Sequence, residues 1–174
     1  MIVRSALGLL LALALAAPPS AAAARVVGSD ARACEAGDAP AIEATIVGLK
    51  DRKGRLKLEL YPGNEQDFLR DDRDLVSEGK FFRRVWVDSV PDGPINICIM
   101  APKPGRYALF FTHDRDGKNK FNFWVDGAGL PSNTKLGRSR PKLAMAVLDV
   151  GEGVLHTQIR AQYLRGLSGF GPLN

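Results

Sequence analysis

The chain has 174 residues, 45% of them hydrophobic, with 24 Lys and Arg against 19 Asp and Glu, a formal charge of +5. That balance excludes an intrinsically disordered polyelectrolyte and suits one ordinary domain with a real core. Two cysteines and two histidines exclude a Cys/His-rich metal fold, and no stretch reaches the ~20 apolar residues of a membrane-spanning helix.

Residues 1–24 read as a secretory signal: Arg4 gives a positive start, Ala6 to Ala17 an apolar run, and Ser20 to Ala24 small residues for cleavage. The expected product is periplasmic or secreted, cleaved near Ala24. Cys34 lies beyond Arg25, Asp30 and Arg32, so no lipid anchor is expected. Residues 25–40 read as an irregular mature N-terminus, 41–165 as the folded domain, and 166–174 (Gly-Leu-Ser-Gly-Phe-Gly-Pro-Leu-Asn) as a flexible tail.

Within the domain, Ile42 to Leu49 is the first strand signal. Asp51-Arg52-Lys53-Gly54 turns it into Arg55 to Tyr61, where Leu56, Leu58 and Leu60 alternate with Lys57 and Glu59, which predicts a hairpin. Glu65 to Ser77 is acidic and predicts one or two helical turns. Further strands are predicted at Phe82 to Val90, Ile95 to Met100, Gly105 to Thr112, Leu143 to Val150 and Val154 to Leu164. In Gly105 to Thr112 both faces are apolar, Tyr107, Leu109 and Phe111 on one and Ala108 and Phe110 on the other, which places it centrally in a sheet. The last strand puts Leu155, Thr157, Ile159, Ala161 and Tyr163 on one face and His156, Gln158, Arg160 and Gln162 on a wet one. About seven strands with short Gly/Pro turns predict an all-β fold, an antiparallel β-sandwich of immunoglobulin-like or prealbumin-like kind. A small closed barrel is the alternative.

Cys34 and Cys98, in an exported chain, are expected to form a disulfide. His156 reads as a surface residue. His113 ends the central strand directly before Asp114, where a strand-capping role and a general-base role are the two readings. No Gly-x-Ser-x-Gly elbow is present, since Ser139 lacks the second Gly.

Asp114 to Asn122 resembles a calcium loop, with Asp114 and Asp116 at positions one and three. Lys118 stands where position five needs an oxygen, Asn119 replaces the sharp-turn Gly, and Val125 occupies the place of the closing Glu. Tight calcium binding is therefore not expected, and neither is a metal or other cofactor, Asp114 and Asp116 being the residues on which such a site would start.

Between Arg115 and Lys142 seven basic residues face two acidic ones, a local +5, with Phe121, Phe123 and Trp124 among them. A basic loop with aromatics suits an anionic envelope polymer or a stacked glycan. His113, Asp114, Trp124, Lys135, Arg138 and Arg140 are the candidate ligand-binding residues. The other reading of the three rings is a lid over an open end of the sandwich. Nucleic acid is not expected as a partner, because no motif for it is present.

Gly105-x-Tyr107-Ala108, then His113-Asp114 with its Asp/Asn/Gly loop, Gly129-x-Pro131 and Gly137-x-Ser139 together resemble the bacterial secreted family catalogued as domain of unknown function 2141. Members read His-Asp-Glu-Asn-Gly-Asn-Gly-Lys at the loop; here Asp116 matches an Asn, Lys118-Asn119 departs from Asn-Gly, and Arg138 stands where an aromatic is usual. The resemblance implies an envelope β-sandwich and brings no activity. The function expected is thus a non-catalytic binding or accessory module of the envelope, with 112–142 as its ligand face. The alternatives are an envelope enzyme using His113 and Asp114, and a purely structural assembly module.

Overall fold

The computed structural model describes residues 25–88 and 93–173; the signal segment 1–24 lies outside them. In chain order the elements are β1 (Val26–Val27), α1 (Ala31–Ala36), β2 (Ala41–Val47), β3 (Arg55–Pro62), α2 (Asp72–Ser77), β4 (Arg83–Val87) and β5 (Ile95–Met100). There follow β6 (Gly105–Asp114), β7 (Gly127–Gly129), β8 (Val147–Val150), β9 (Val154–Arg160), β10 (Gln162–Leu164) and β11 (Phe170–Pro172). Two sheets result, one of order β1-β5-β2-β9 and one of order β11-β10-β7-β6-β3-β4 with β8 also on β6. This is the all-β sandwich expected, mostly antiparallel, with parallel pairs β1/β5 and β2/β9 in the small sheet.

The core follows from the alternation of the strands. Ile42, Ala44 and Ile46 of β2 and Ile95, Ile97 and Ile99 of β5 face Leu56, Leu58 and Leu60 of β3 and Tyr107, Leu109 and Phe111 of β6, all buried. That arrangement corrects one expectation. β2 and β3 do not pair as a hairpin, because their leucine and isoleucine faces are apposed across the core; the chain crosses from one sheet to the other at residues 48–54. A second crossing is at Ala161, where the predicted single strand 154–164 breaks into β9 of the small sheet and β10 of the large one.

The large sheet is buried on its outer face too. Ala108 and Phe110 of β6 and Tyr61 of β3 meet Phe68, Leu75, Leu130, Leu143 and Ala146 from the segments laid over them, which explains why β6 is apolar on both sides. Helix α2 belongs to this layer. Asp71 caps it by accepting from the Arg73 N–H, Asp72 and Asp74 sit in its first turn, and Leu75 is its buried anchor.

Residues 25–40 and 166–173 are more ordered than their composition suggests. Residues 25–40 hold β1 and α1, tied to β5 by the expected Cys34–Cys98 disulfide (Cα–Cα 6.0 Å). Cys98 alternates with the inward Ile97 and Ile99, so it points outward to α1. Asp30 is buried, receives the Arg83 guanidinium and accepts from the Met100 N–H at 2.9 Å. Burial alone would raise its pKa; Arg83 and the Met100 N–H outweigh that and hold it below the usual carboxylate value. The tail expected to be loose instead forms β11, paired with β10 in register Leu164↔Phe170 to Gln162↔Pro172, because Phe170 has a hydrophobic surface to bury against.

Candidate functional site

β6 ends at Asp114 and the chain returns as β7 at Gly127. The intervening loop is built by carboxylates. Asp126 accepts from the N–H groups of Arg115 (2.8 Å) and Asn122 (2.7 Å); Asp114 accepts from Asn119 N (3.1 Å); Asp116 accepts from Lys118 N (3.2 Å) and the Asn122 amide (3.0 Å). Asn119 takes a left-handed conformation (φ 56°), which Asn tolerates better than most residues. Arg115 braces the loop from the far side, its guanidinium on Asp51 and on the Val125 carbonyl (2.8 Å).

These bonds fix where the loop's rings lie. Phe121 and Phe123 lean on Phe170 of β11 with ring centroids 5.9 and 5.0 Å away, and Trp124 meets Phe123 at 5.7 Å. Beneath them is a cleft of about 350 Å³. Its floor is Phe110 and Ala128 of the large sheet's outer face, its walls Leu69, Leu136 and the three phenylalanines, and its rim Arg138, Ser139 and Arg140. That volume falls within the range of small-ligand sites. Arg140 donates to the Phe68 carbonyl at 2.8 Å. Among the described residues neither Arg138 nor Arg140 has a carboxylate within 4.0 Å. Trp124 is 79% exposed and Leu167, whose carbonyl faces Arg138, is 89% exposed. The rings thus form the wall of an open cleft, with Trp124 outside the core.

The chain matches, over residues 44–158, the family described as uncharacterized protein conserved in bacteria (DUF2141), which is more than half of its length. The chain belongs to the DUF2141 family. No curated protein and no solved structure matches it.

In this DUF2141 chain the candidate residues divide three ways. Arg138 and Arg140 come together with the aromatic wall, and Trp124 stands beside it. Lys135 runs instead alongside Gly171 of β11. His113 and Asp114 point to opposite faces of β6, and neither lines the cleft.

His113 is fully buried. Its Nε2 lies 2.7 Å from the Lys53 carbonyl, which only accepts, so Nε2 carries the proton; Nδ1 then accepts from the Tyr163 hydroxyl at 2.7 Å. Burial lowers the His113 pKa, and with both nitrogens committed the ring is a neutral strut. The Lys53 carbonyl reaches it because Gly54 passes over the end of β6: a Cβ there would lie 2.0 Å from the Asp114 carbonyl oxygen, and φ is +71°.

Several site residues escape a reading of the sequence. Phe170 sits in a Gly-rich tail, and its being the sole aromatic there is the only hint. Gln162, assigned to a wet face, is buried; it accepts from Leu136 N at 2.9 Å and donates to the Thr134 carbonyl at 2.8 Å, tying the cleft's far wall to β10. The outer face of the large sheet carries a line of charge that alternation alone would leave in solvent. Lys57 and Arg84 pair with Glu59 (3.3 and 2.7 Å), Arg84 with Asp72 (3.1 Å), and Arg55 stacks on Trp86 (4.2 Å) and reaches Asp114 (3.4 Å). Lys57 and Glu59 are buried, so this network fastens α2 and the loop to the sheet.

Proposed function

We propose that this DUF2141 chain is a non-catalytic binding module of the cell envelope, and that its ligand is an anionic envelope polymer or glycan bearing an apolar group. The observation that carries this reading is the cleft: an apolar floor and aromatic wall meet two arginines that hold no carboxylate partner among the described residues. Of the five exposed large apolar side chains among the described residues, Phe121 and Phe123 line it, Trp124 abuts Phe123, and Leu167 turns its carbonyl to Arg138. An apolar substituent enters the cleft while the anionic groups stay at the rim on Arg138 and Arg140, with Lys142 two residues further along the chain. The Cys34–Cys98 disulfide is compatible with export, and no helix among the described residues is long and apolar enough to cross a membrane.

Two features speak against the alternatives. An enzyme using His113 and Asp114 needs a free ring nitrogen facing a pocket, and His113 has neither. Assembly through the β9 edge of the small sheet meets an obstacle at Asn133, whose side chain donates to the Gln158 carbonyl (2.8 Å) and accepts from Arg160 N (2.7 Å), occupying the groups a docking strand would use.

Retention on an anionic glycan resin and titration with an alkyl phosphate test the proposal. Wild type should elute at a salt concentration that falls when Arg138 and Arg140 are both changed to Ser, because exposed charges are screened over ~8 Å at 0.15 M salt. Phe123→Ala should weaken the alkyl phosphate at every salt concentration. Equal retention and equal titrations for all three proteins would overturn the reading.

A further inference from the structure

Three carboxylates meet where the β6–β7 loop leaves and rejoins the large sheet. Asp114 ends β6, Asp116 lies two residues on, and Asp126 immediately precedes β7; one oxygen of each lies within 4.8 Å of the others. Asp114 is 2% exposed and Asp126 1%. Among the described residues the cations within 4.0 Å of the three are Arg55, at 3.4 Å from Asp114, and Lys118, at 3.5 Å from Asp116 on a side chain that is 73% exposed.

A second observation is independent of the clustering. The hydrogen bonds of Asp114 all go to Oδ2, from Asn119 N and Arg55, and Oδ1 is buried without a partner. Among the described residues the other buried side-chain oxygen in that position is Thr112 Oγ1, two residues back on the same face of β6. An unpaired buried carboxylate oxygen is costly and calls for a specific explanation.

A cation supplies one. Calcium takes about six to eight oxygen ligands in flexible geometry, whereas magnesium demands a near-ideal octahedron and is usually held by one or two carboxylates with water. Three carboxylates drawn together by a loop, each with an oxygen within 4.8 Å of the others, therefore suit calcium. We propose that Asp114, Asp116 and Asp126 form a Ca²⁺ site, with Asp114 Oδ1 as its buried ligand and water completing the shell. The spacing of a linear calcium loop points away from this site, because it looks for the closing carboxylate at Val125; the chain delivers it one residue later, from the start of the returning strand. Lys118 and Lys120 on the same loop place the affinity in the weak range of extracellular modules, a Kd of about 10⁻⁴–10⁻³ M. The ion clasps the end of β6 to the start of β7, and so holds the loop that carries Phe121 and Phe123. The clasp is independent of whether the cleft binds a ligand.

The experiment is a melt and a calorimetric titration of the mature chain, freed of metal with a chelator, against CaCl₂ and MgCl₂. At a tenfold excess over Kd, calcium should raise Tm by roughly 3–6 °C, and magnesium by less than half as much. Asp116→Asn and Asp126→Asn should each abolish the calcium shift. Asp116, the less buried of the two, supplies the comparison if Asp126→Asn fails to fold, and the wild-type titration stands without either. A shift that is equal for the two ions, a shift that survives Asp116→Asn, or no heat and no shift at ~10 mM calcium would overturn the site.

Discussion

The Tyr163 hydroxyl donates to His113 Nδ1 at 2.7 Å while it accepts from the Lys50 N–H at 2.9 Å, so one oxygen joins β10, β6 and the β2–β3 crossing. Burial pushes the phenol up to about 12, and it remains a donor throughout the physiological range. Tyr163→Phe leaves both Nδ1 and the Lys50 N–H without a partner. It should cost about 1–3 kcal/mol in chemical denaturation.

The same strut makes stability depend on pH. The His113 pKa is lowered in the fold by burial, so between that value and the ordinary ~6.5 the unfolded chain binds the extra proton. The stabilisation is fully present above ~6.5 and is lost as pH falls toward the folded value. Denaturation midpoints measured from pH 8 to 5 should decline in wild type, and decline less in His113→Gln.

The disulfide closes a loop across 64 residues, for which the chain-entropy relation gives about 4 kcal/mol as an upper figure. Paired Cys34→Ser and Cys98→Ser should lower stability by up to that amount. Thiol titration of denatured, unreduced wild type should find no reactive thiol.

Arg83 holds a carboxylate whose side chain is 2% exposed, while its own is 41% exposed. Arg83→Ala leaves Asp30 buried with only its Met100 N–H and Ser29 hydroxyl donors. The cost should be about 2 kcal/mol by urea titration, less than for a fully buried pair because water reaches the arginine side.

Trp124→Ala distinguishes a binding face from a core lid. At 79% exposure the ring contributes little to folding, so the change in stability should stay within about 0.5 kcal/mol. Retention on the anionic resin should nevertheless fall, in a way that lowering the salt does not restore.

Much of the fold was legible because β6 announces its burial on both faces through Tyr107, Leu109 and Phe111 on one side and Ala108 and Phe110 on the other. The disulfide followed from two cysteines in a chain whose sequence predicts export. What could not be read was everything decided between segments distant in sequence. Asp51 to Gly54 has the composition of a hairpin turn, yet apposing two apolar strands across a core is worth more than pairing their edges, so the turn became a crossing between sheets. Gln162 kept its place in the alternation but met the backbone of residues 134–136, which no local pattern announces. Basic and aromatic residues of 112–142 were visible as a group; that Phe170 would complete their wall depended on the tail adding a strand.

The parallel pairing of β2 with β9 runs from Ala41↔Val154 to Val47↔Arg160, a separation of 113 residues (154 − 41). Contacts so remote in sequence raise the contact order and slow the search for the native topology. A chain that emerges amino end first therefore carries β2 with one flank open until residues 154–160 arrive. During that interval the backbone N–H and C=O groups along that flank of β2 are available to other chains. Amino-terminal fragments that stop short of Val154 should therefore be held by a chaperone or degraded rather than accumulate.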